Sequence, residues 1–197
     1  MNRSFQVLLF LVLAGPVSAQ SEADRFAGQL SGAALSLTEQ TVVYDPGYYA
    51  IAYPNGDVPA GRGVCSDVVI RAYRAMDIDL QKEVHEDMLA HFDLYPDIWG
   101  LSRPDSNIDH RRVPNLMKYF ERYGDEKLIS SSADDYSPGD IVCWNLGGAV
   151  THIGIIVETR SYDGLRPMVV HNIGGGQVLE DCLFGFRIIA HYIYQGK

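Results

Sequence analysis

Apolar positions along this chain recur at helical spacing in its first two thirds and at strand spacing after Ser137-Pro138-Gly139. Phe26, Leu30, Ala34 and Leu37 within residues 21–39 line one face of a helix. From Val64 a stripe of Val68, Val69, Ala72, Tyr73 and Met76, with no Gly or Pro inside it, predicts a helix that starts at or just before Cys65. Further helices are expected over 81–93 and from Pro114, a favoured first helical position, to about 123. Residues 41–63 are dense in Pro and Gly and read as turns, and 95–113 as a loop rich in Pro, Asp and Asn. Beyond residue 139 the pattern predicts strands at 141–146, 152–158, 168–173 and 186–194. The hairpin-length connectors Gly147-Gly148 and Asp163-Gly164 make them antiparallel neighbours. Helices first and a small antiparallel sheet last is an α+β layout.

The start of the chain changes the picture of where the protein works. Arg3, an apolar run from Phe5 to Ala14, the Gly15-Pro16 break and small residues at Val17 and Ala19 have the form of a secretory signal cleaved after Ala19. The expected organisation is a signal peptide over 1–19 and one domain over 20–197, periplasmic or secreted, monomeric and without a membrane span after cleavage. A formal net charge of −9, with no dense basic cluster beyond Arg111-Arg112, makes nucleic acid and anionic membranes poor partners.

Three cysteines, Cys65, Cys143 and Cys182, are an odd count for an oxidising compartment, so one thiol is left over or pairs between molecules. Cys143 and Cys182 lie in strand-like stretches and could bridge, which the sequence leaves open. A helix N-terminus, where Cys65 is expected, lowers a thiol pKa because unpaired N–H groups and the macrodipole favour negative charge. Such a nucleophile needs a base and a third polar group to orient the base. His152 opens one predicted strand and His171 sits in the next, so antiparallel pairing would bring the rings together. The plain alternative is a buried structural cysteine and two core histidines.

Four segments carry a resemblance. GVCSDVVIRAY (63–73) resembles the nucleophile segment of NlpC-type cell-wall peptidases, and YSPGDIVCW (136–144), THIGIIV (151–157) and VVHN (169–172) resemble their later motifs in the same order. Over most of residues 40–194 the chain is more similar to an uncharacterised exported bacterial family of unknown function placed in that wider class. AYPNGDVPAGRGVCSDVVIRAYR (52–74) and PDSNIDHRRVPNL (104–116) carry this second resemblance.

The resemblance implies a papain-like fold, Cys65 as nucleophile, His152 as base, His171 as its orienter, and an oxyanion hole of the Cys65 N–H with Tyr53. The implied substrate is an amide bond, foremost in peptidoglycan stem peptides, or another cell-envelope amide. Gly63-Val64 before the cysteine and Asp67, where the class has Gly, depart from its pattern.

The segment DSNIDHRR (105–112) gathers Asn107, Asp109, His110 and Arg111, read as substrate-binding, with arginine able to clamp a carboxylate. The competing reading is a loop pinned by its own Asx turns and Asp–Arg pairs. No cofactor or metal is expected, because zinc-type ligand spacing and a calcium-loop pattern are both missing. Three alternatives stay open: a non-catalytic ligand-binding module, an acyltransferase or amidase on another substrate, and a metal-dependent hydrolase built on Asp109 and His110.

Overall fold

The computed structural model describes residues 17–197, so most of the expected signal segment lies outside the described residues. No helix among the described residues is long and apolar enough to cross a membrane. Four helices precede most of the strands: α1 (Val17–Leu37), α2 (Cys65–Arg74), α3 (Leu80–His91) and α4 (Val113–Tyr123). Two short strands, β1 (Val43–Tyr44) and β2 (Arg62–Gly63), pair in parallel within the stretch expected to be all turns. The larger sheet holds β3 (Asp125–Glu126), β4 (Ile141–Gly147), β5 (Val150–Arg160), β6 (Pro167–His171), β7 (Val178–Glu180) and β8 (Arg187–Ile193). Its spatial order is β3-β8-β4-β5-β6-β7, antiparallel throughout, which gives an α+β architecture.

Strand alternation sends side chains to opposite faces of this sheet. Ile141, Cys143, Ile153, Ile155 and Val170 face the helices and join Leu30, Val68, Val69 and Leu116 in the main core. Val142, Trp144, Ile156 and Val169 face the other way and are covered by Tyr136 and Leu183. The three cysteines are free, with Cys143 in the main core and Cys182 packed against the second cluster.

Helix α2 is buried from Cys65 to Tyr73, a consequence of its apolar stripe and its position between α1 and β5. Its start is set by Asp67, whose carboxylate accepts the Val64 N–H at 2.7 Å and so satisfies a donor the helix leaves unpaired. Pro114 occupies the first turn of α4, where its missing N–H costs nothing.

Candidate active site

Cys65 is the first residue of α2, and its sulfur is met by three backbone N–H groups, those of Ile153, Ser66 and Cys65 itself. The Ile153 N–H is available for a reason visible in the ladder. Ile156 donates to Asp140 on the β4 side, so the N–H groups of Ile155 and Ile153 point toward β6. The β5–β6 register (Ile155↔Val170) sets Ile153 opposite Asn172, one residue past the end of β6. Asn172 lies outside the strand and its side-chain amide donates to the Gly63 carbonyl at 3.2 Å, while the Ile153 backbone meets the Cys65 sulfur.

These N–H groups favour a thiolate, but the site is nearly sealed, with Cys65 only 6% exposed. Burial outweighs them and pushes the thiol up to about 11. The expectation of a depressed cysteine pKa therefore does not hold: desolvation exceeds the pull of the helix N-terminus.

His152 and His171 come together as the strand pattern anticipates. His152 Nε2 lies 2.8 Å from His171 Nδ1, with the rings edge to face. Gly154 makes this contact possible, because it stands opposite His171. A Cβ there would come 3.1 Å from His171 Cβ and 2.7 Å from Val169 Cγ1. Trp144, paired with His152 across β4 and β5, covers the imidazole from the other side.

The chain of contacts continues outward. His171 Nε2 lies 2.9 Å from a Glu180 carboxylate oxygen and 3.5 Å from the Cys182 sulfur. An ionised carboxylate only accepts, so Glu180 places the His171 proton on Nε2, leaving Nδ1 to accept from His152 Nε2–H. His152 Nδ1, which has no hydrogen-bond partner among the described residues, is then the bare nitrogen. Burial, and then the neighbouring His171, hold His152 down at about 3, so its resting form is neutral. Among the described residues no hydrogen bond joins Cys65 to His152; the thiol meets the backbone of the next residue, Ile153.

Tyr53 is placed elsewhere. Its ring stands edge-on to His85 of α3, 5.1 Å between centroids. The tyrosine whose pKa is raised in part by Cys65 is Tyr44 of β1, which pairs with Gly63, two residues before that cysteine.

The 105–112 segment is mostly structural. Arg111 is not free to clamp a substrate, because it grips Asp67 through two hydrogen bonds of 2.8 and 2.9 Å and also donates to the Gly47 carbonyl. Asp67, the departure from the NlpC pattern, is thus the partner that locks this segment to the helix of Cys65. Ser66 adds a hydrogen bond to the Arg111 carbonyl at 2.7 Å. Asp109 is buried, accepts the Asp105 N–H and pairs with Arg112. His110 is buried, with Nδ1 unpartnered and its pKa lowered to about 3 by burial and then by Arg111. Asp109 and His110 join no three-residue cluster of metal-ligand groups among the described residues. Asn107 accepts the Ile51 N–H and donates to Tyr48, with which it lines an open groove of about 610 Å³.

A family model described as Domain of unknown function (DUF1287) matches residues 31–194. The chain belongs to this family. It is also 53% identical over 154 residues to the Uncharacterized protein YijF of Escherichia coli (strain K12), a match covering 78% of this chain and 75% of that protein. The DUF1287 span includes Cys65, Tyr44, His152, His171 and Glu180. Sequence reasoning missed Tyr44 and Glu180 because nothing local marks them: one sits in a Pro/Gly-rich stretch, the other in a three-residue strand.

Proposed function

We propose that this DUF1287 protein is an exported cysteine hydrolase with an NlpC-type, papain-like fold that cleaves an amide bond, foremost in peptidoglycan stem peptides. The observation that carries the reading is the directional chain Glu180–His171–His152. It leaves one imidazole nitrogen bare on the residue that precedes the N–H contacting Cys65.

In the resting state the proton stays on sulfur. Cys65 Sγ attacks the carbonyl carbon while His152 Nδ1 takes the thiol proton, and the oxyanion is held by the Cys65 N–H and Tyr44. His152 then gives that proton to the leaving amine as the C–N bond breaks. Water, deprotonated by His152, releases the acyl group and restores the thiol. His171 and Glu180 are positioning residues that set the tautomer of His152.

The test is mass spectrometry of peptidoglycan fragments incubated with the chain from residue 20 onward. Cleavage by the wild type, an acyl adduct on Cys65 and loss of cleavage in Cys65→Ala support the proposal. Cleavage retained in Cys65→Ala would sink it. The sealed thiol favours one second reading, a ligand-binding module on the same scaffold. That reading predicts saturable retention of a fragment with no product and no adduct.

A further inference from the structure

Just outside the histidine pair, three different ligand groups converge. His171 Nε2, a Glu180 carboxylate oxygen and Cys182 Sγ lie within 4.8 Å of one another, and no other described group of three ligand-bearing residues does so. His171 is fully buried, whereas the Glu180 side chain is 51% exposed, so the cluster has a closed inner wall and an open outer side. Asp181, between the two outer ligands, is tied to Arg166 at 2.7 Å; this pins the segment that carries them and takes Asp181 out of contention.

We propose that His171, Glu180 and Cys182 form a binding site for a thiophilic divalent cation of the zinc type. One imidazole nitrogen, one thiolate and one carboxylate are a donor set zinc accepts, with water as the fourth ligand from the exposed side. Tetrahedral zinc with bonds of roughly 2.0–2.3 Å sets its nitrogen and sulfur ligands roughly 3.6 Å apart. The observed His171–Cys182 separation is 3.5 Å. Glu180 stands closer to His171, at 2.9 Å, and its exposed side chain can swing outward to admit the ion. Without a cation, the single proton on His171 Nε2 faces two acceptors, the Glu180 carboxylate and the Cys182 sulfur; an ion satisfies both.

Coordination releases one proton, from the Cys182 thiol. It also takes the Nε2 lone pair, so the His171 proton moves to Nδ1 and is donated to His152 Nε2. The His152 proton is thereby displaced to Nδ1, the nitrogen the hydrolase needs bare. This consequence, and only this one, rests on the hydrolase reading: the filled site would switch the enzyme off.

The experiment is titration of the full chain from residue 20 onward with Zn²⁺ against a chromophoric chelator, repeated with Co²⁺ as a spectroscopic probe. One ion per chain is expected, with a sulfur-to-cobalt charge-transfer band. Cys182→Ser should abolish the band, and Cys182→Ser and Glu180→Gln should each weaken binding by more than about tenfold. Cys65→Ser, inactive under the hydrolase reading, should bind as the wild type does, which separates the two proposals. Binding unchanged by Cys182→Ser, or no stoichiometric binding, overturns the site.

Discussion

His152 Nε2 and His171 Nδ1 lie 2.8 Å apart on adjacent antiparallel strands, and the single proton between them is oriented by Glu180 on a third strand. His152, His171 and Glu180 are thus brought together by β5, β6 and β7, while Cys65 opens a helix packed on the same sheet.

Glu180→Gln should lower kcat on any substrate Cys65 turns over, by about tenfold or more, with little change in KM or in the unfolding midpoint. An amide can donate as well as accept, so it no longer dictates which His171 nitrogen is protonated. Steady-state kinetics beside chemical denaturation checks this, and a KM effect alone would speak against an orienting role.

Alkylation of Cys65 in the folded chain should keep accelerating with pH toward about 11, without levelling near the range of a free thiol. The reason is burial: the thiolate forms only against the desolvation cost. Mass spectrometry resolved by cysteine gives the profile. A plateau below pH 8 would mean that the site opens in solution and that the N–H groups then dominate.

Arg111→Ala should destabilise the protein by about 3–5 kcal/mol, since it leaves Asp67 charged and buried without its partner. Denaturant unfolding measures it. A stable variant whose only defect is a raised KM would restore arginine to the substrate site and remove it from the scaffold.

Gly154→Ala should cost about 1–3 kcal/mol and separate the histidine pair, because the added methyl would meet Val169 at 2.7 Å and the Val170 carbonyl at 3.0 Å. Unfolding curves give the energy, and NMR of the imidazole nitrogens reports whether the shared proton is lost.

Stability should fall as pH drops from about 6.5 toward 3, in part through His110, whose folded pKa is lowered to about 3 by burial. A depressed histidine pKa means that the unfolded chain binds the extra proton inside that window, so acid favours unfolding and stability is fully present above it. His110→Gln should flatten the slope by up to about 1.4 kcal/mol per pH unit. An unchanged slope in that variant would show that His110 is not one of the groups responsible.

Much of the architecture was legible along the chain. The stripe from Val68 to Tyr73 marks α2, Pro114 marks the start of α4, and the alternation around Gly147-Gly148 and Asp163-Gly164 marks three neighbouring strands, because these patterns are local. The meeting of His152 with His171 was legible too, since adjacent antiparallel strands leave few registers. Other features depend on contacts between residues far apart in sequence. Arg111 closes on Asp67 across 44 residues, and Tyr44 comes within electrostatic range of Cys65 through the pairing of a two-residue strand with Gly63. The protonation of Cys65 was decided in three dimensions as well. Helix position alone argues for a thiolate, but the surrounding core removes water from the sulfur, and that desolvation exceeds what three N–H groups return.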